Sequence, residues 1–137
     1  MGLILDSSIL IAEERRGNDL RQALSNLATL FAGEEVAVSV ITVLELAHGV
    51  ARSNTPERRL NHQKFLDDLL LALPVHAVTI PVALPAGQMD GENRTKGIRL
   101  AIPDLLIGVT ALELGYRVAT SNLRHFQMIP GLTVISV

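Results

Sequence analysis

The sequence predicts a single α/β domain over residues 1–137, an α/β/α sandwich whose central, mostly parallel sheet has four to five strands with helices on both faces. Two observations support this fold class. Short apolar, β-branched segments alternate along the chain with longer segments in which apolar residues recur every three or four positions, as expected for strands that alternate with helices. In addition, 48% of the residues are hydrophobic but only 3% are aromatic, so the core must be built from aliphatic side chains.

The first half of the chain is predicted to contain two strands and four helices. The opening segment, MGLILDSSILI, is an apolar run interrupted by a carboxylate, which is typical of a strand that delivers a charged residue to its carboxyl end. Gly17 and Gly33 follow two of the helices, at positions where glycine readily takes the left-handed conformation. In order, we predict a strand ending at Asp6, helices over 8–16 and 20–33, a strand over 36–42, a helix from Thr42 or Val43, and a helix over 56–73.

The second half continues the same alternation. The segment 83–97 is the hardest to interpret, because Gly87 and Gly91 each weaken a helix by about 1 kcal/mol relative to alanine, and we predict a loose helix or a long loop there. The remaining elements are a strand over 75–80, an apolar helix from Ile102 to Gly115, a strand over 116–120, a short turn over 123–126 and an edge strand over 132–136.

Composition excludes several classes of protein. The chain has no cysteine, so it cannot form a disulfide scaffold or a thiolate metal site. No apolar run reaches the ~18 residues of a membrane span, and the N-terminus lacks the basic region of a signal peptide. The net charge of -2 gives no overall attraction to nucleic acid or to anionic lipid. We therefore expect a soluble cytoplasmic protein that uses local charges to bind its partners.

Four polar residues lie where a predicted strand ends or a predicted helix begins: Asp6, Glu45, Asp104 and Asn122. The carboxyl ends of parallel strands meet at one edge of a sheet, which is where open α/β folds bind ligands, so these side chains can cluster. Clustered carboxylates repel one another unless they take up protons or bind a cation. Oxygen ligands without His or Cys favour Mg²⁺ or Mn²⁺.

Each of these residues also has a purely structural interpretation. Asp6 or Ser8 can cap the first helix, and Asn122 can cap the turn that follows it. Thr42 and Glu45 match a capping box, in which the glutamate reaches back to the threonine backbone. Asp104 lies in a helix's first turn, where the macrodipole favours an anion. The residues alone leave both interpretations open.

Three segments of the chain together resemble the PIN-domain ribonucleases, and among them the VapC-type toxins of toxin-antitoxin pairs. LILDSSILI resembles the family's opening strand with its first aspartate, and ITVLELAHGV resembles its second motif. IPDLLIGVTALELGYRVATSNLRHFQMIPGLTV resembles the third and fourth motifs in the family's order and spacing. The resemblance covers nearly the whole chain and implies a single PIN-like nuclease domain.

The resemblance implies a Mg²⁺- or Mn²⁺-dependent endoribonuclease that cleaves tRNA, rRNA or mRNA with metal-activated water. It assigns metal binding and catalysis to Asp6, Glu45 and Asp104, with Asn122 at a position where many relatives have aspartate. It also implies a small antitoxin partner and a homodimer. Beside the acids, Ser8 and Thr120 are expected either to orient metal-bound waters or to cap helices. Substrate phosphates are expected to contact the basic residues that flank the site, Arg99, Arg124 and His125.

Other functions fit the sequence less well. A receiver domain needs an aspartate after a middle strand and a late lysine, but the only lysines, Lys64 and Lys96, follow no late strand. An Asp-x-Asp phosphatase is excluded because Ser8 replaces the second aspartate. Two alternatives within the family remain open: a PIN-like domain that binds RNA or a partner without cutting, and a PIN nuclease with a housekeeping role in RNA processing.

Overall fold

Five short strands form one parallel sheet in the order β3-β2-β1-β4-β5 in the computed structural model, which describes residues 1–137. The strands are β1 (Gly2–Leu5), β2 (Glu35–Ser39), β3 (Val75–His76), β4 (Arg117–Thr120) and β5 (Val134–Ser136). The helices are α1 (Ser7–Arg15), α2 (Leu20–Leu27), α3 (Val40–Ala51), α4 (Pro56–Ala72), α5 (Ile80–Thr95), α6 (Ile102–Leu114) and α7 (Leu123–Gln127), and a 3₁₀ turn (Ala28–Leu30) follows α2. None of these helices is both long enough and apolar enough to cross a membrane.

Strand β1 lies at the centre of the sheet and divides the core into two layers. It pairs with β2 on one side and with β4 on the other, and Leu3, Ile4 and Leu5 are fully buried. Leu3 and Leu5 belong to a cluster that includes residues of α1 to α4, whereas Ile4 belongs to a second cluster with residues of α5, α6 and α7. Alternate side chains of β1 thus face helices on opposite sides of the sheet, which confirms the predicted sandwich.

Several predicted boundaries are also confirmed. Helix α6 ends at Gly115, which has a φ of 70° in the left-handed region that disfavours other residues. Helix α4 begins at Pro56, and the side chain of Thr55 caps it by accepting a hydrogen bond from the backbone N–H of Arg58. The last strand, β5, pairs only with β4 and forms an edge of the sheet, as the sequence predicted.

The prediction for residues 75–97 was only partly right. The third strand contains only Val75–His76, because Thr79 and the proline at position 81 begin α5 where a longer strand was expected. Of the two alternatives predicted for the following segment, a loose helix or a long loop, the helix is right, because the segment lies in α5, which contains Pro85 and continues to Thr95. Val82 and Ala86 are buried in the second core cluster, and this packing offsets the low helix propensity of the two glycines.

The junction between β2 and α3 also differs from the prediction. The second strand ends at Ser39 rather than at Thr42, and α3 begins at Val40. The Ser39 Oγ accepts a hydrogen bond of 3.0 Å from the backbone N–H of Ile41 and so caps the helix. Near the other end of the chain, the residues predicted as a short turn form the single-turn helix α7.

Candidate active site

Asp6 follows β1 directly and is only 2% exposed. It occupies the N-cap position of α1, but its side chain makes no capping hydrogen bond, so the capping interpretation of this residue is wrong. Its Oδ2 atom accepts hydrogen bonds from the Ser8 Oγ at 2.6 Å and from the Thr120 Oγ1 at 2.8 Å. Both contacts fall on Oδ2, which leaves Oδ1 without a hydrogen bond inside the protein. Asp6 is therefore fixed in orientation with one carboxylate oxygen available.

The two hydroxyl groups that hold Asp6 also hold the loop between β4 and α7. The Ser8 Oγ accepts a hydrogen bond from the backbone N–H of Ser121 at 3.1 Å, and the Thr120 Oγ1 accepts one from the backbone N–H of Asn122 at 2.9 Å. The two hydroxyl oxygens lie 3.2 Å apart. Because they already bind Asp6 and the loop, Ser8 and Thr120 connect the ends of two neighbouring strands. Their predicted role in orienting water remains a prediction.

Glu45 lies on α3, which packs beside α1, the helix that follows β1. Its Oε1 atom accepts a hydrogen bond from the Ser7 Oγ at 3.0 Å. The predicted capping box with Thr42 is wrong, since Ser39 caps this helix and the buried Thr42 hydroxyl has no partner. Burial raises the pKa of Glu45, the Ser7 hydrogen bond lowers it, and the negative charges of Asp6 and Asp104 raise it further.

Asp104 lies in the first turn of α6, and its side chain is 15% exposed. Its Oδ2 atom is 2.9 Å from Nδ1 of His125, which lies on α7. Burial raises the pKa of Asp104, the hydrogen bond and charge of His125 lower it, and the charge of Asp6 raises it. His125, predicted as a phosphate contact, thus contacts a carboxylate of the site itself.

The three carboxylates form an electrostatically coupled group at the carboxyl end of the sheet. Asp6 raises the pKa of both Glu45 and Asp104, and no lysine or arginine forms an ion pair with any of the three. Each carboxylate uses one oxygen in hydrogen bonds and keeps the other free of protein partners. No three His, Asp or Glu side chains converge closely enough to hold one ion directly. The donor set nevertheless fits the hard oxygen chemistry of Mg²⁺ or Mn²⁺.

The remaining predicted residues lie around this group. Asn122 is exposed, and although it occupies the N-cap position of α7, its side chain makes no capping hydrogen bond. Its position is set by the backbone contact with Thr120. Arg99 and Arg124 are also exposed, and neither forms an ion pair, so both guanidinium groups are free to meet an anion.

Sequence reasoning did not single out Ser7 as the partner of Glu45. A serine directly after the aspartate at the start of a helix has the same pattern as an ordinary helix terminus. Its contact with Glu45 spans 38 residues of sequence, and it exists because α1 and α3 pack beside each other. Only the three-dimensional arrangement identifies it.

A cavity of about 780 Å³, lined mostly by polar and charged residues, opens beside Glu45, between α1, α3 and α4. In its wall, Nδ1 of His62 on α4 is hydrogen-bonded to the carboxylate of Glu14 on α1. Arg15, Arg58 and Lys64 also line it, together with the carboxylates of Asp19 and Asp68. The cavity therefore carries charges of both signs and reaches one of the three site carboxylates.

The family model for the PIN domain matches residues 3–131 of this chain. Ribonuclease VapC of Rickettsia bellii is 31% identical over 140 residues, which cover all of this chain and 97% of the relative. The tRNA(fMet)-specific endonuclease VapC of Salmonella typhimurium is 32% identical over 99 residues, which cover 72% of this chain and 73% of the relative.

The fold matches solved structures along its full length. A crystal structure of VapBC2 from Rickettsia felis, bound to a DNA fragment from its promoter, contains a chain that superposes on this one with a TM-score of 0.83. The two are 26% identical, and the match covers all of this chain and 99% of that chain. The chain therefore belongs to the PIN-domain family and, within it, to the VapC ribonucleases.

Proposed function

We propose that this protein is a Mg²⁺- or Mn²⁺-dependent endoribonuclease that acts in the cytoplasm as the toxin of a toxin-antitoxin pair. The observation that carries the proposal is the group of three carboxylates at the carboxyl end of the sheet, Asp6, Glu45 and Asp104. Burial and the negative charge of Asp6 raise the pKa values of Glu45 and Asp104, no arginine or lysine neutralises the three carboxylates, and each keeps a free oxygen. Such an arrangement favours a divalent cation.

The chain supplies the groups that this chemistry needs. Asp6, Glu45 and Asp104 would hold the ion, in part through bound water because their side chains do not converge on one point, and the amide oxygen of Asn122 would add a neutral donor. When bound, a divalent ion lowers the pKa of water and balances the charge that develops on a phosphate undergoing hydrolysis. Ser8 and Thr120 keep the Asp6 carboxylate in one orientation. No serine, threonine or cysteine nucleophile is required for this reaction class.

Phosphate groups of the RNA would meet the exposed basic residues beside the acids. Arg99 precedes α6, which carries Asp104, and Arg124 lies on α7, just after Asn122. Arginine binds phosphate oxygens through its planar fork of N–H groups. His125 lies on the same single-turn helix as Arg124, but it already contacts Asp104, so we assign phosphate binding to the two arginines first. The RNA class follows from the relatives, whose names describe ribonucleases and, in one case, a tRNA(fMet)-specific endonuclease.

An antitoxin protein is the partner that the structural neighbours support, since they are VapBC complexes. The cavity beside Glu45 gives such a protein a place to cover the site, because a chain seated there lies directly against one of the three carboxylates. The homodimer implied by the family resemblance remains a prediction, and light scattering of the purified protein tests it.

The function is tested by incubating purified protein with labelled RNA in Mg²⁺ or Mn²⁺, and again after addition of a chelator. The key variant is Asp104→Asn, and its matched control is Glu113→Gln, which removes the same charge from an exposed position of the same helix. We expect cleavage by the wild type and by Glu113→Gln, and none by Asp104→Asn or in chelator. Cleavage that survives chelation or the Asp104 substitution refutes the proposal, and tight RNA binding without cleavage supports the non-catalytic alternative.

A further inference from the structure

Three consecutive residues, Asp6, Ser7 and Ser8, each contribute to the acidic site. Asp6 supplies a carboxylate, and Ser8 donates a hydrogen bond to that carboxylate. Ser7 is 6% exposed, and its Oγ donates to the Oε1 of Glu45 at 3.0 Å. The segment that carries the first acid therefore also holds the second.

The contact with Ser7 is the only hydrogen bond that the Glu45 side chain makes within the protein. A glutamate side chain has several rotatable bonds, and holding it in one conformation costs entropy that a specific contact must offset. The contact occupies Oε1 of Glu45 and leaves Oε2 without a hydrogen-bond partner in the protein. Ser7 also favours the charged form of Glu45, because its hydrogen bond opposes the rise in pKa that burial causes.

Ser7 has no competing structural task. It is the first residue of α1, and its hydroxyl makes no hydrogen bond to the backbone of its own helix. Ser8 and Thr120, in contrast, connect Asp6 to the loop after β4, so their loss affects the fold as well as the site. The Ser7 hydroxyl acts on Glu45 alone.

We propose that Ser7 is a positioning residue that holds the Glu45 carboxylate of α3 in place for the divalent cation, an inference that rests on the proposed function. Partners that orient a ligand in this way typically change metal affinity or activity by about 10- to 100-fold when they are removed. Ser7 is 6% exposed and its hydroxyl is bonded to Glu45, so we expect the binding of RNA itself not to depend on it.

The experiment measures Mn²⁺ binding to metal-free protein by the electron paramagnetic resonance signal of free Mn²⁺, and RNA cleavage as a function of Mn²⁺ concentration. The variants are Ser7→Ala, which removes the hydroxyl, and Ser7→Thr, which retains it. Thr110→Val is the matched control, because Thr110 is equally well buried but its hydroxyl bonds to the Leu106 carbonyl of its own helix. Circular dichroism establishes that each variant is folded.

We expect Ser7→Ala to weaken Mn²⁺ binding by about tenfold, to raise the Mn²⁺ concentration needed for cleavage in parallel, and to leave the KM for RNA unchanged. Ser7→Thr and Thr110→Val should bind Mn²⁺ as the wild type does. Wild-type affinity in Ser7→Ala, or an equal loss in Thr110→Val, overturns the inference while the proposed function stands. A wild-type protein that neither binds Mn²⁺ nor cleaves RNA refutes the proposed function itself.

Discussion

Replacing Thr120 with valine should destabilise the protein, because it removes the hydroxyl that donates to Asp6 without changing the shape of the side chain. Thr120 is fully buried, and its hydroxyl both donates to the carboxylate and accepts from the backbone N–H of Asn122. Asn122 is exposed, so its N–H can bond to water instead, and the loss is dominated by the bond to the charged carboxylate. Such a bond contributes about 2 kcal/mol to the free energy of unfolding.

The expected change in melting temperature follows from the size of the chain. At about 2.1 cal/mol/K of unfolding entropy per residue, a loss of about 2 kcal/mol lowers the Tm by about 7 °C. The control is Thr42→Val, the same substitution at a residue that is equally buried but whose hydroxyl has no hydrogen-bond partner. That variant should be as stable as the wild type or more stable, because an unsatisfied buried hydroxyl is itself unfavourable.

Both variants are measured by calorimetry or circular dichroism in chelator, which separates the stability of the protein from metal binding. Urea unfolding at 25 °C gives an independent free energy. Equal changes in Tm for the two variants, or no change in Thr120→Val, would refute the view that the hydroxyl group at the end of β4 holds Asp6 in the folded state.

Three further predictions concern the site. Because the pKa of Glu45 is raised in the folded state, its contribution to stability is full below its ordinary pKa and is lost as pH rises through the folded-state pKa. Glu45→Gln should therefore raise the Tm of the metal-free protein at pH 7, and this gain should disappear toward pH 4. Thermal denaturation at a series of pH values measures both effects. Asn122→Asp should tighten Mn²⁺ binding and Asn122→Ala should reduce cleavage; unchanged titrations and rates would remove this residue from the site. Arg99→Ala and Arg124→Ala should each raise the KM for RNA, and each should reduce the slope of RNA affinity against salt concentration by about one phosphate contact. Arg21→Ala, an exposed control on α2, should change neither quantity.

The fold could be predicted largely because its signals are local. Glycine and proline mark the ends of α4 and α6. The continuous apolar run of β1 indicates a strand that is buried on both faces of the sheet. The errors arose where tertiary packing outweighs propensity. Val82 and Ala86 hold α5 in a regular helix across two glycines, and the short strand β3 ends early because the next helix begins at Ile80.

The sequence predicted that Asp6, Glu45 and Asp104 lie near one another at the end of the sheet, but it did not predict their contacts. The positions of Asp6, Glu45 and Asp104 followed from where strands end and helices begin. Most of their hydrogen-bond partners did not, because all of them except Ser8 lie far away in sequence. Thr120 is 114 residues from Asp6, and periodicity contains no information about which hydroxyl meets which carboxylate.

These long separations mean that the site forms only when the central strands and α3 have assembled. Asp6 is bridged to β4 through Thr120, and Glu45 is bridged to α1 through Ser7. Loop closure over such distances costs entropy that only the completed core offsets. The cost of burying Glu45 and Asp104, together with their repulsion by Asp6, acts against the same assembly, as the raised pKa values of these two residues show. A bound cation would relieve that repulsion, so the proposed metal binding and the stability of the carboxyl end of the sheet would be coupled, and every residue that holds an acid in place would affect both.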